Sequence, residues 1–279
     1  MRGSARRTTG LTLIEMTLVV ATIALLVGFA VPAVRSLLGS FHSEGGARSM
    51  IEATLSSARA MAVSHQRYVG VRFQKGCIAK DASRPLDRLV EAPQYMIFIM
   101  HDKEATGLGS GFRAIEGLQP VRLPETMGVM ALGAMAEDAA TGDEDFDTTE
   151  ELNDVMTFSV VFSPAGKLIV HDVQVRNRDG VADPDNGSGG SGGASHDQVF
   201  NSPKNICTDG TGRFVQDDYP ALGLEKEPSV TSFVLYHRER LAEVFERDPP
   251  GVWSEYLQRL AVDETIFVSP YTGKLISSE

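Results

Sequence analysis

The chain has 279 residues, 42% of them hydrophobic and 23% charged, and 26 basic against 37 acidic side chains leave a formal net charge of −11. With a mean hydropathy of −0.08, these averages exclude a multi-span membrane protein, a collagen-like chain and a wholly disordered one. An acidic surface also disfavours nonspecific nucleic-acid binding, whose affinity comes mostly from basic side chains on phosphates.

The apolar residues are not evenly spread. The first ten residues carry Arg2, Arg6 and Arg7, no acid, and end in Gly10. Met16–Val34 then runs 19 residues without a charge. As a helix it would rise roughly 29 Å, about the hydrocarbon thickness of a bilayer. Three arginines precede it and only Arg35 stands close behind, so the positive-inside bias predicts a cytoplasmic N-terminus and an exported remainder. A buried core helix is one alternative. An ordinary secretory signal removed after Ala33 is another. Glu15 speaks against a disposable signal, because a carboxylate within the apolar stretch that begins at Leu11 costs a few kcal/mol unless it is paired. Pro32 removes a backbone donor inside the run and predicts a kink.

The run Gly10-Leu11-Thr12-Leu13-Ile14-Glu15 behind a short basic leader resembles the class III leader of type IV pilins and type II secretion pseudopilins. The resemblance implies cleavage by prepilin peptidase between Gly10 and Leu11, N-methylation of Leu11, and a role for Glu15 in assembly. Leu11 departs from the phenylalanine usual there. Cleavage would create an α-amine four residues before Glu15; in a bundle, one subunit's amine can meet its neighbour's Glu15 carboxylate, each tolerable when paired and costly when not.

Gly45 to Arg67 reads as an amphipathic helix, with Ala47, Met50, Ile51, Leu55, Ala58, Met61 and Ala62 forming one stripe. Short β-branched or aromatic runs follow at Tyr68–Phe73, Tyr95–Met100, Met156–Phe162, Leu168–Val175, Ser232–Tyr236 and Thr265–Val268. A helix followed by such strands predicts an α+β fold. The text Ser57-Ala58-Arg59-Ala60-Met61-Ala62, the Val-Gly-Val-Arg-Phe strand and Phe162-Ser-Pro-Ala-Gly-Lys167 are similar to the GspH/FimT group of minor pseudopilins. The expected architecture is therefore pilin-like. Residues 1–10 are a leader, 11–35 a transmembrane and assembly helix, and 36–67 its amphipathic continuation. Residues 68–279 form an antiparallel β-rich head with loop insertions near 137–154 and 177–213.

Phe162-Ser-Pro-Ala-Gly-Lys-Leu-Ile169 is echoed by Val268-Ser-Pro-Tyr-Thr-Gly-Lys-Leu-Ile276; two similar turns entering apolar strands explain this better than a repeat array. Glu137 to Asp154 is acidic and reads as a solvated loop. In the Gly-rich stretch from Asn177 to Gly193, Asp179, Asp183 and Asp185 are oxygen ligands of the kind calcium takes. They miss the EF-hand spacing, so a Gly-rich loop is the favoured reading and no metal is assigned. The glycines there also match nucleotide and nucleophile-elbow patterns, without the strand and helix context that gives those patterns meaning. His42, His65, His101, His171, His196 and His237 lack metal spacing. Near the C-terminus, His237 to Arg247 and Val252 to Leu260 predict short helices. Cys77 and Cys207 are either a disulfide or two buried small hydrophobes.

The resemblance implies a structural, non-catalytic subunit without a cofactor: a minor pseudopilin of a type II secretion pseudopilus, or a type IV pilus subunit. It would be a single-pass inner-membrane protein with a periplasmic head. Its implied partners are other pilin or pseudopilin subunits, prepilin peptidase, the inner-membrane assembly platform and membrane lipid. A DNA-binding minor pilin and an anchored or secreted protein with an ordinary signal are the alternatives. The acidic chain argues against the first of these.

Overall fold

The computed structural model describes residues 14, 16–23, 44–77, 92–132, 149–176, 197–202, 206, 212–216, 226–247 and 250–277. The longest helix among them, α1 (Glu44–His65), buries Ala47, Ile51, Thr54, Leu55, Ala58 and Ala62. This matches the predicted stripe at Ala47, Ile51, Leu55, Ala58 and Ala62, adds Thr54, and leaves Met50 and Met61 partly buried at its margin.

Strands β1 (Val69–Lys75), β2 (Gln94–His101), β3 (Gly111–Ala114) and β4 (Val121–Arg122) follow, with α2 (Lys103–Thr106) between β2 and β3. Then come β5 (Met127–Met130), α3 (Thr149–Met156), β6 (Phe158–Phe162), β7 (Leu168–Ile169) and β8 (Asp172–Val175). Short strands β9 (Phe200–Asn201), β10 (Phe214–Val215) and β11 (Glu227–Pro228) precede β12 (Ser232–His237). The chain continues through α4 (Arg238–Arg247), α5 (Pro250–Asp263), β13 (Thr265–Val268) and β14 (Leu275–Ser277). A large curled sheet has the order β11-β8-β3-β2-β1-β6-β7, with β4 on β2; a smaller one runs β14-β13-β12-β5.

Helix α1 lies between the two sheets. Its buried stripe shares one hydrophobic cluster with Val69, Val71 and Phe73 of β1, Phe158, Val160 and Phe162 of β6, and Phe233, Leu235, Ile266 and Val268 of the smaller sheet. The period-2 alternation of strands sends neighbouring residues the other way. Val234 and Tyr236 therefore join Leu152, Leu241, Phe245, Trp253 and Leu257 of the three covering helices. On the far side of the large sheet, Ile97, Ile99, Val161 and Val173 are covered by Val199, Phe200 and Phe214. Both faces of both sheets thus carry apolar cover, which is why every residue of β1 is buried.

Two seams join the sheets. At one, the side chain of Gln94 in β2, 1% exposed, accepts from the N–H of Val129 at 2.8 Å and donates to the carbonyls of Val129 and Met156 at 3.0 and 2.8 Å. At the other, the N–H of Leu168 donates to the carbonyl of Pro270 at 2.8 Å. The two echoed segments are hairpins with equivalent hydrogen bonds: Ser163 N–H to Lys167 carbonyl, and Ser269 N–H to Lys274 carbonyl, each 2.8 Å. Each turn places a glycine in the left-handed region, Gly166 at φ 73° and Gly273 at φ 72°, where a side chain would be strained. Both turns lie on α1. Arg59 Nε donates to the Gly166 carbonyl at 2.8 Å. Glu52 Oε1 accepts from Leu275 N–H, and Arg48 Nη2 donates to the Leu275 carbonyl. The N–H and carbonyl of Leu275 in edge strand β14 are thus taken by α1 side chains rather than offered to another strand.

Several expectations are corrected. The fold is mixed helix and sheet, curled as a half-barrel with short helices, and not a long N-terminal helix laid on one sheet as in a pilin. Among the described residues no helix is long and apolar enough to cross a membrane. The transmembrane segment and the single-pass inner-membrane location drawn from Met16–Val34 are therefore not upheld. Of that run, Met16–Ile23 are described, and they are helical. The acidic stretch expected as a loop is helical from Thr149, because Leu152, Val155 and Met156 share a buried face at helical spacing. The insertion expected at 177–213 contributes buried Val199, Phe200 and Asn201. Leu168–Val175 is two strands, broken where His171 N–H turns to Ser229 Oγ.

Gln94→Leu keeps the volume of the side chain and removes its three hydrogen bonds, leaving the backbone groups of Val129 and the Met156 carbonyl unsatisfied. We expect a loss of about 3 kcal/mol, read as a lower urea midpoint with an unchanged slope. A midpoint like that of the parent chain would show that the seam does not depend on Gln94.

Candidate functional site

The residues singled out by the leader resemblance, Gly10, Leu11, Glu15 and Pro32, lie outside the described residues. So do the calcium-type ligands Asp179, Asp183 and Asp185, and Cys207. Between Glu15 and Pro32, the helical residues Met16–Ile23 show what this part of the chain presents. Ile14, Met16, Leu18, Val19, Val20 and Ile23 are 48–77% exposed. The hydroxyls of Thr17 and Thr22 donate back to the carbonyls of Ile14, Leu18 and Val19. Such bonds satisfy the polar atoms within the helix itself, so the outward surface is almost wholly apolar.

On the head, the most polar buried constellation surrounds Arg72, which is 0% exposed. The alternation of β1 predicts that Arg72 and Gln74 point away from α1, toward solvent; the outer layer covers them instead. Arg72 donates through Nε to Gln74 Oε1 at 2.9 Å and through Nη1 to Glu227 Oε1 at 2.7 Å, with Ser159 Oγ at 3.4 Å. Gln74 Nε2 in turn donates to the carbonyl of Val215. Three segments distant in sequence therefore meet on one guanidinium. A buried pair of this kind fixes register more than it adds net stability. Its described surroundings are hydrogen-bond partners from β1, β6 and β11.

A second constellation sits where β2, β3 and β8 end. The rings of Tyr68, His101, Phe112 and His171 pack together, His101 and His171 with centroids 5.8 Å apart and Tyr68 and His171 at 4.7 Å. His101 Nε2 lies 2.9 Å from the Gly109 carbonyl and His171 Nδ1 2.6 Å from that of Asp172. A carbonyl can only accept, so each of these nitrogens carries its proton. An open groove of about 620 Å³ runs past Ser110, His171, Asp172 and Lys226. Asp172 and Lys226 close on each other at 2.5 Å. Ser110 and His171 both line the groove, and among the described residues no hydrogen bond joins them. Among the described residues no three His, Cys, Asp or Glu side chains are placed to hold a metal ion.

Beside this groove Asp102 caps α2, accepting from Ala105 N–H at 3.1 Å. It also takes Arg113 Nε at 2.7 Å and faces Arg67 Nη1 at 3.5 Å. Burial pushes its carboxyl pKa up. The Ala105 hydrogen bond, the Arg113 hydrogen bond and the charges of Arg113 and Arg67 outweigh burial and hold it below the usual carboxylate value. A smaller groove of about 280 Å³ lies at the start of α1, with a floor of Leu235 and Ile266 and a rim including Arg48, Arg240 and Glu264. The Arg72 network, the ring cluster and this groove were not legible in the sequence. Each brings together segments that are separate in the sequence, and no local spacing announces them.

No family model, curated protein or solved structure matches this chain.

Arg72→Met leaves Gln74, Ser159 and Glu227 without their shared donor; we expect it to cost about 3 kcal/mol, measured by denaturant unfolding. Asp102 has a depressed folded pKa, so its contribution to stability is present above the unfolded value of about 3.9 and is lost as pH falls through the folded value. The stability difference between the parent chain and Asp102→Ala should be constant above about pH 5 and shrink below pH 4. A difference unchanged from pH 7 to pH 3 would exclude this coupling.

Proposed function

We propose that this chain is a structural, non-catalytic subunit of a pilin-like assembly, resembling a minor pseudopilin of a type II secretion pseudopilus. In this reading prepilin peptidase cuts after Gly10, Leu11 becomes the N-methylated first residue, and subunits join through the segment that follows. The observation that carries it is the exposed apolar surface from Ile14 to Ile23. Large aliphatic side chains gain about 1.5–3 kcal/mol each on full burial, and among the described residues these are left exposed. Neighbouring copies of the same segment offer them cover. The leader Gly10-Leu11-Thr12-Leu13-Ile14-Glu15 supplies the second support: cleavage makes an α-amine that a neighbour's Glu15 can neutralise, and the pair sets the register of addition.

The partners this proposal implies are other subunits of the same assembly and the peptidase.

The test is mass spectrometry of the mature N-terminus in the native host. We expect a chain beginning at methylated Leu11. A chain beginning at Val34 would replace the proposal with ordinary secretion. Glu15→Ala should be cleaved like the parent chain and yet fail to enter the assembly; incorporation at the parental level would remove the register role of Glu15.

A further inference from the structure

We propose that the outward face of the β13–β14 hairpin, together with the two lysines of the echoed turns, docks on an acidic surface of a second copy of this chain. The helices over the smaller sheet share a buried cluster with Met130, Val234 and Tyr236, and that cluster stops short of the sheet edge. Phe267 and Ile276 stand directly opposite each other across β13 and β14 and are 47% and 52% exposed. Tyr271, in the turn between these strands, is 67% exposed. Large apolar side chains grouped in this way mark a contact surface, where scattered single ones do not.

The free charges beside them have one sign. Lys274 lies two residues before Ile276, and the strand period of two gives it the same outward face. Lys167 holds the equivalent place in the other Ser-Pro turn, its Nζ 5.8 Å from the centre of the Tyr271 ring. The bond from Leu168 N–H to the Pro270 carbonyl ties the two turns together. Both lysines are exposed. Nearby acids are already engaged: Glu52 by the Leu275 N–H, Glu227 by Arg72 and Asp172 by Lys226.

Lysine against lysine disfavours a two-fold contact of this face with itself. The chain as a whole carries 37 acidic against 26 basic side chains, so other surfaces of a second copy offer the complementary charge. Such a contact joins two different surfaces, and each copy keeps a free face for the next. The inference rests on the assembly reading for the identity of its partner, and not on cleavage after Gly10.

The test uses the full chain in a detergent that covers the segment from Ile14 to Ile23, so that head contacts are what remains. Chains of natural and heavy nitrogen are mixed and treated with a carbodiimide, which joins a lysine amine to a carboxylate as an amide. We expect mixed-isotope peptides linking Lys167 or Lys274 to an Asp or Glu of the other copy. Their yield should fall several-fold between about 50 and 500 mM salt. Sedimentation should show species larger than a dimer as the concentration rises toward about 0.1 mM. Phe267→Ser, and separately Lys167→Glu with Lys274→Glu, should weaken association about tenfold. Val262→Ser, on α5 and 78% exposed, should leave it unchanged. Links confined to one chain, a closed dimer as the largest species, or parental association in both kinds of variant would each overturn the proposal. So would a chain that stays monomeric and binds phosphatidylglycerol vesicles, which would assign the face to lipid. A mature chain that does not begin at Leu11 counts against the assembly reading alone, whereas these outcomes count against the docking face alone.

Discussion

The side-chain amide of Gln94 stands in for a backbone peptide group. Its oxygen and nitrogen meet the N–H and carbonyl of Val129 as a neighbouring strand would, and the same nitrogen reaches the carbonyl of Met156. One buried residue therefore joins the large sheet, the smaller sheet and α3. Without it, the edge of β5 would face the interior with unpaired polar groups, a condition that costs more than the hydrogen bonds gain. The wrapping of two sheets around α1 depends on that seam being closed.

The opposite seam is closed by different means. The paired Ser-Pro turns after β6 and β13 bring left-handed glycines onto one line of α1, where Glu52, Arg59 and Arg48 bind turn or strand backbone. Their similar sequences share a physical cause: each must reverse the chain tightly, end one strand and start another, and leave room for the helix. At Gly166 an added methyl group would approach the side chain of Val63 to 2.8 Å. The helix is thus both the core of the fold and the guard of its edge.

Head and N-terminal segment play opposite parts. The buried charged groups Arg72 and Asp102 of the head sit in hydrogen-bonded networks, and its main clusters pack apolar side chains together. The segment from Ile14 to Ile23 does the reverse, satisfying its hydroxyls internally and turning its apolar side chains outward. A chain with this division gains most by burying one segment against its like, and that asymmetry underlies the structural role proposed for it.

The sequence by itself determined the local elements. The stripe of α1, the alternation of β1, β2, β6 and β12, the glycine turns and the helices near the C-terminus all follow from spacings within a few residues, because dihedral preference and periodicity act at that range. The leader motif and its Glu15 belong to the same local kind of information. Which polar residues would be buried was decided only by the tertiary structure. Arg72 and Gln74 have the spacing of an exposed face, Gln94 reads as an ordinary strand start, and the acidic stretch before Asp154 reads as loop. Their surroundings come from residues tens of positions away. The long apolar run shows the limit from the other side: hydropathy set its length, but whether it forms one helix rests on contacts that periodicity does not contain.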